Sequence, residues 1–203
     1  MNAKAIGVII AFTALTTGLN FVRIPAPYNI VLSYQLSDVV LIVAFLLFGI
    51  KVGLTIAGLN MILKMFVFVD VSGPIGPPYY LVAFLSMFFG MYLFEKLVKQ
   101  QKLDNHRISK DVTISTFLGT FTRTLIMLPL DYLFFGSLVS VVAGLTLSEA
   151  YAVVIAAMPT LIFYNITVPI IMIPTSYFIA KKISRHTSTL FRSPFINQQI
   201  LQP

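Results

Sequence analysis

Residues 112–128 read VTISTFLGTFTRTLIML, an apolar run whose one charged residue is Arg123. As a helix this run extends about 26 Å, close to the hydrocarbon thickness of about 30 Å in a bilayer. Arg123 falls about eleven residues into the run, which places its guanidinium near the bilayer midplane. An unpaired arginine at that depth costs at least about 3 kcal/mol, so we expect it to face a partner, a cavity or a ligand.

Five further apolar stretches accompany this run. They predict helices near 3–21, 36–48, 52–69, 79–98 and 149–180. Pro129 is predicted to bend or end the helix that starts near 112, and residues 131–148 are predicted to form a bent continuation with an outer loop. The chain is 58% hydrophobic and 10% charged, whereas a soluble domain carries roughly a quarter charged residues. Continuous runs also exclude an outer-membrane barrel, whose segments alternate in hydrophobicity. We predict an all-α integral membrane protein with six transmembrane helices in one bundle over 1–185, followed by a tail at 186–203.

The basic residues indicate the topology of this bundle. Nearly all of them lie at the N-terminus, between helices 2 and 3, between helices 4 and 5, and after helix 6, at Lys4, Lys51, Lys96, Lys99, Lys102, Arg107, Lys110, Lys181, Lys182, Arg185 and Arg192. Positive charge beside membrane exits is typical of cytoplasmic loops. Both termini are therefore predicted to be cytoplasmic, and the net charge of +7 indicates contact with anionic headgroups and no nucleic-acid partner.

Several kinds of chemistry are excluded by residue type. The chain has no cysteine, and both histidines, His106 and His186, lie outside the apolar runs. No serine-hydrolase motif, zinc-protease motif or Walker A sequence occurs, so the chain is not expected to be an enzyme or to drive transport by itself. We expect no metal and no cofactor.

Polar residues inside the predicted helices suggest a ligand pocket. Asn165 lies between Pro159 and Pro169 in helix 6, where an amide beside a broken helix suits the recognition of a polar heterocycle. Asn60 and Lys64 are four residues apart and share one face of helix 3. Lys64 either joins the pocket or extends outward toward the membrane surface.

Three further residues complete the predicted pocket. Tyr164 accompanies Asn165, and Tyr80, like its neighbour Tyr79, is placed to stack on a ring-shaped ligand. Asp131 lies two turns beyond Arg123, and simple neutralisation of Arg123 by Asp131 or by backbone carbonyls stays an alternative. Arg123 and Lys64 are two buried cations, and Asp131 is one buried anion. This surplus of positive charge predicts an anionic ligand or one with electron-rich carbonyls.

Helix 1 carries a stripe of small residues, Gly7, Ala11, Ala14 and Gly18. Their spacing of four, three and four places them on one face of the helix. Small residues let a second helix approach closely. The stripe is either a packing face inside the bundle or a docking face for a separate membrane subunit.

In this combination the chain resembles the substrate-binding S-components of energy-coupling factor (ECF) vitamin transporters. The resemblance covers residues 1 to about 185 and rests on the six helices, the small-residue stripe and four short motifs. The motifs are SDVV at 37–40, LLFG at 46–49, GPIG at 73–76, and a helix 6 that bears Asn165 and ends YFIAKK at 177–182. It implies a multi-pass protein of a prokaryotic cell membrane that binds a water-soluble vitamin from outside. It also implies two kinds of partner, a transmembrane coupling subunit and two cytosolic ATPases.

The resemblance further implies roles for particular segments. The stripe on helix 1 would contact the coupling subunit, and the loop from Arg23 to Gln35 would gate the pocket through residues that include Pro25, Pro27, Tyr28 and Asn29. The riboflavin-specific members are most similar. Val168 stands where that group has a lysine after the helix 6 asparagine, and Arg123 replaces an asparagine in helix 5, which would suit another vitamin such as biotin or pantothenate.

Two other classes of function fit the sequence less well. An integral-membrane enzyme would use Arg123 and Asp131 on a lipid-borne substrate, but catalysis favours an acid/base pair near the cytoplasmic face. A small channel would need polar residues repeating along one helix face, and no such repeat occurs. The sequence therefore favours a binding and translocation module.

Overall fold

A computed structural model describes residues 3–67, 76–98 and 108–186. In these ranges the order of elements is α1 (Ala3–Leu19), β1 (Arg23–Ala26), β2 (Asn29–Gln35), α2 (Leu36–Phe48), α3 (Ile50–Val67), α4 (Gly76–Val98), α5 (Ile108–Ala143) and α6 (Leu147–His186). By length and composition, α3 to α6 can each cross a membrane, whereas α1 and α2 are shorter apolar helices. The predicted six-helix membrane bundle is confirmed. The GPIG motif up to residue 75, the loop 99–107 and the tail 187–203 lie outside the described residues.

The chain between α1 and α2 forms a β-hairpin that the sequence did not predict. The prolines at 25 and 27 indicated extended backbone, but β1 and β2 pair antiparallel, with Arg23 opposite Gln35 and Pro25 opposite Ser33. Proline has no N–H to donate, so it fits a two-stranded ribbon where one side of each strand needs no partner. Strand β2 also packs against α6, a contact that local sequence does not reveal.

Helix α2 forms the centre of the bundle. Ten of its 13 residues are buried, and it packs against α1, α3 and α6. Gly49 ends the helix with φ of 88°, a conformation that glycine adopts without steric cost. The chain then reverses into α3, where Gly53 packs against Phe45. Helix α2 is therefore both short and almost completely enclosed by neighbouring helices.

The last two helices are longer than predicted. Pro129 lies inside α5, which continues as a helix to Ala143, so the predicted outer loop is limited to residues 144–146. Proline removes one backbone donor, and the rest of the helical ladder continues past it. The connection to α6 is short because α6 starts with a capping box in which Thr146 donates its N–H to the Glu149 carboxylate at 2.9 Å.

Helices α4 and α5 cross in very close contact at Gly90. A methyl group placed on Gly90 would lie 2.3 Å from the carbonyl oxygen of Leu118. One turn further along, the Thr122 hydroxyl donates to the Ser86 carbonyl at 2.8 Å. This crossing directs the next residue of α5, Arg123, toward α4 and the interior of the bundle.

Candidate functional site

A cavity of about 280 Å³ lies at the hairpin end of the bundle, between β2, α3, α4, α5 and α6. Its wall is mostly apolar and aromatic, and a small set of polar side chains interrupts it. The polar lining residues are Arg23, Ser33, Gln35, Lys64, Arg123, Asp131 and Asn165, and the aromatic ones are Tyr79, Tyr80, Phe134, Phe135 and Tyr164. An apolar cavity with a few convergent polar groups is typical of a small-molecule site.

Asn165 bridges the arginine and the aspartate in this wall. Its side-chain oxygen accepts a hydrogen bond from Arg123 Nε at 3.1 Å, and its Nδ2 donates to Asp131 Oδ2 at 2.6 Å. The other carboxylate oxygen of Asp131 accepts from the Tyr79 hydroxyl. Arg123 also donates from Nη1 to the carbonyl oxygen of Ala83 at 3.3 Å. Arg123 therefore combines the two predicted situations. Its charge is partly neutralised by hydrogen-bonded neighbours, and its side chain also lines a cavity.

Arg123 keeps donor capacity for a ligand. Its side chain is 5% exposed, and no residue in the described part of the chain accepts a hydrogen bond from its Nη2. A guanidinium has five N–H groups in a fixed fork, and two of its nitrogens are engaged. Both oxygens of Asp131 are already used. The deep polar end of the cavity therefore offers mainly donors, which suits a ligand that presents carbonyl or other acceptor atoms.

Lys64 lies in the cavity wall and does not extend outward. It is 5% exposed, donates to the side-chain oxygen of Gln35 and lies 3.3 Å from the centre of the Tyr80 ring. The Tyr80 hydroxyl donates to Asp38, which is 3% exposed. The predicted charge count includes Asp131 as the one buried anion, and Asp38 is a second.

The burial of Asp38 corrects the predicted charge surplus. Arg123 and Lys64 are matched by Asp131 and Asp38, so the buried charges around the cavity balance. Arg23 lies at the rim and is exposed to solvent, where its charge is screened. Balanced buried charges remove the argument for an anionic ligand.

Hydroxyl groups connect the hairpin to α6. Tyr28 and Tyr34 lie 2.9 Å apart through their hydroxyl oxygens, and both contact the Thr167 hydroxyl, at 2.8 and 3.0 Å. The Tyr164 hydroxyl donates to the Ser33 carbonyl at 2.7 Å. Burial is the main cause that raises the pKa of Tyr28 to about 12, so the Tyr28 hydroxyl keeps its proton at neutral pH.

The hairpin lines the cavity with other residues than the sequence suggested. None of Pro25, Pro27, Tyr28 and Asn29 is among the described lining residues; the hairpin instead contributes Arg23, Leu32, Ser33 and Gln35. Pro27 and Tyr28 form its turn, and Asn29 accepts a hydrogen bond from the Leu32 N–H at 3.3 Å. Of the four predicted gate residues, Tyr28 alone is brought to α6 by the contacts described above.

Two other predicted groups lie away from the cavity. Asn60 is 1% exposed and its side-chain oxygen accepts from Asn20 at 2.8 Å, which joins α3 to α1; it is not among the described residues that line the cavity. The stripe Gly7, Ala11, Ala14 and Gly18 is exposed along its whole length. Apart from neighbouring residues of α1 itself, no described atom lies within 4 Å of a methyl group built on Gly7 or Gly18. The stripe is therefore not a packing face inside the described bundle.

The sequence pattern did not single out Phe134, Phe135 and Leu138 as wall residues, and it did not indicate that Tyr79 is bonded to a carboxylate. Tyr79 is hydrogen-bonded to Asp131 and stacks on Phe134 with 4.2 Å between ring centres. Phe135 and Leu138 lie beyond Pro129, in a segment that the sequence assigned to a bent connection. Asp38 was detectable, because a carboxylate in the first turn of an apolar helix signals a functional group.

Comparison with known proteins identifies a fold. No family model matches the chain, and no curated protein matches it in sequence. One solved structure, described as the S component of a bacterial ECF transporter, superposes with a TM-score of 0.69 at 21% sequence identity, over 90% of this chain and 96% of that chain. At this identity the likeness shows the architecture and not the ligand. The chain has the fold of an ECF-transporter S component.

Proposed function

We propose that this protein is the substrate-binding S component of an ECF-type importer. It captures a water-soluble vitamin from outside the cell and delivers it through a transmembrane coupling subunit that two separate ATPases drive. The chain carries no catalysis of its own. The observation that carries the proposal is the cavity in which Arg123, Asn165 and Asp131 form one hydrogen-bonded row deep in an apolar bundle. Ionisable groups at such depth are expensive and mark a ligand path.

Riboflavin is the favoured ligand. Five aromatic side chains in the wall suit a planar ring, and the free N–H groups of Arg123 suit its carbonyl edge. Because the buried charges balance, an uncharged ligand leaves no net charge in the apolar bundle, whereas an anion such as biotin or pantothenate adds one. The balance therefore favours riboflavin over the anionic vitamins.

The first experiment identifies the ligand. Freshly purified protein is extracted and the small molecules are identified by mass spectrometry; a flavin also colours the protein yellow. We expect Arg123→Met to weaken flavin affinity at least about 100-fold, because it removes a charged hydrogen-bond donor worth about 3 kcal/mol. Leu125→Met, at a position that is 62% exposed, is the matched control. Retention of full affinity in the Arg123 variant would contradict the proposed pocket.

The stripe on α1 is proposed as the contact for the coupling subunit. It is exposed, it holds only Gly and Ala, and it lies on the side of α1 opposite the buried Thr16 and Asn20. We expect Ala14→Leu to abolish vitamin uptake in cells that supply the coupling subunit and ATPases, with vitamin binding unchanged. Ile6→Phe, which enlarges an exposed residue away from the stripe, should leave both intact. Normal uptake by the Ala14 variant would reject this surface.

A further inference from the structure

A second group of buried polar side chains lies between α1 and α3, and none of its members is among the described residues that line the cavity. In the described part of the chain, five buried side-chain oxygen or nitrogen atoms have no hydrogen-bond partner. Four of them belong to this group, which we call the polar seam: the hydroxyls of Thr13 and Thr17, the Asn20 Oδ1 and the Asn60 Nδ2. An uncompensated polar atom is costly away from water, so four of them in one place indicate a bound group that satisfies them.

The two helices run in the same direction along the seam. Near the start of α3, Phe12 of α1 packs edge to face on Phe48 with 5.3 Å between ring centres. Further along both helices, Asn20 meets Asn60. One turn before this contact, the Asn60 face of α3 carries Ala57, a buried residue with a small side chain. The small side chain leaves room beside the α1 ridge that carries the two threonines.

The threonines of the seam do not use the hydrogen bond that a helix offers them. Between them in α1, Thr16 donates its hydroxyl to the carbonyl oxygens of Phe12 and Thr13, both at 2.9 Å. Hydroxyls inside helices commonly bond in this way to a carbonyl three or four residues earlier. Within the described residues, the hydroxyls of Thr13 and Thr17 have neither this bond nor another one. They are therefore available to a group that lies between the helices.

The amide pair shows what kind of ligand the seam takes. Asn20 Nδ2 donates to Asn60 Oδ1 at 2.8 Å, which leaves the Asn20 oxygen as an acceptor and the Asn60 nitrogen as a donor. Exchange of oxygen and nitrogen in both amides again leaves one acceptor and one donor. A metal cation binds oxygen ligands and is repelled by an N–H group, and an anion is repelled by a carbonyl oxygen. The ligand must both accept and donate hydrogen bonds.

We propose that ordered water molecules bind in the polar seam and join α1 to α3. Water at about 2.8 Å from each hydroxyl spans the distance of about 5–6 Å between side chains four residues apart, such as Thr13 and Thr17. At the other end of the seam, water accepts from Asn60 Nδ2 and donates to Asn20 Oδ1. Buried waters typically make about three hydrogen bonds of this kind. They hold in place the helix whose opposite face carries the proposed contact for the coupling subunit.

The sign of a stability change tests this proposal in the full-length protein. Thr13→Val and Thr17→Val each remove one hydroxyl and keep the branched shape of the side chain. If the hydroxyls bind water, each substitution should raise the equilibrium constant of unfolding in mixed micelles about threefold to tenfold. A lowered or unchanged constant would overturn the proposal, because removal of a dry, unpaired hydroxyl stabilises the protein or has no effect. The control is Thr120→Val, whose hydroxyl donates within its own helix at 2.8 Å; it should change the constant less than about twofold.

Nuclear magnetic resonance of the unsubstituted protein gives a second test, which does not depend on how a variant folds. With labelled threonine and methionine methyl groups in deuterated detergent, magnetisation from water should reach the methyl groups of Thr13 and Thr17. The methyl group of Met91, which is 0% exposed in α4, should receive none. Absence of transfer to both threonines would overturn the proposal.

A change of salt distinguishes water from a metal ion in the seam. Replacement of sodium and potassium by tetramethylammonium should leave the unfolding of the unsubstituted protein unchanged, because water needs no ion. A loss of stability in tetramethylammonium would identify a metal cation in the seam and would overturn the proposal. None of these measurements uses vitamin binding or uptake, so a failure here is distinguishable from a failure of the proposed function.

Discussion

Arg123 and Asp131 should stabilise the protein only as a pair. Arg123 is 5% exposed and Asp131 is 2% exposed, and the Asn165 amide is bonded to both. Removal of one charge leaves the other buried without its counterpart. We expect Arg123→Met and Asp131→Leu each to lower the free energy of unfolding by about 3–5 kcal/mol, the cost of breaking a buried pair from one side.

The double substitution should cost much less than the sum of the two single ones. A similar-sized apolar pair leaves no isolated charge, and coupled neighbours deviate from additivity by about 0.5–3 kcal/mol. The assay follows loss of helicity by circular dichroism as sodium dodecyl sulfate is added to mixed micelles. Leu125→Ala on the exposed face of α5 is the control. If the two single costs simply add, the amide does not couple the charges and our reasoning about the pocket fails.

Three further predictions concern packing, the hairpin and ligand charge. Gly90→Ala should lower the unfolding free energy by about 1–3 kcal/mol, because its methyl group would lie 2.3 Å from the α5 backbone; Gly58→Ala, with open space around it, should be neutral in the same assay. Thr167→Val removes the hydroxyl that contacts both hairpin tyrosines and should speed vitamin release about tenfold in stopped-flow measurements, from about 1.4 kcal/mol of lost hydrogen bonding. Thr175→Val, which loses only a bond within its own helix, should leave release unchanged, and equal rates in both variants would reject the role of the network. Asp38→Asn makes the buried charge positive, and titration should show riboflavin phosphate gaining about tenfold in affinity relative to riboflavin; an unchanged ratio would contradict the charge balance.

Much of the architecture follows from the sequence because membrane insertion is read from local properties. The length and polarity of each apolar run predict a helix without knowledge of its neighbours. The same principle singled out Arg123, Asn165 and Lys64, since a polar side chain in hydrocarbon needs a partner wherever it lies. The small-residue stripe was equally visible, but its two interpretations were not separable until the exposure of α1 was known.

The tertiary structure decided which polar groups meet. Asn60 is an asparagine inside an apolar helix, as Asn165 is. It nevertheless pairs with Asn20, because α1 packs against α3. Asp38 lies in the first turn of α2, and α4 brings the Tyr80 hydroxyl against it. Such pairings depend on residues 40 or more positions apart, and helix periodicity carries no information about them. The sequence by itself determined a membrane bundle with costly polar groups inside, and only the folded chain decided their partners, because partner choice depends on helix packing.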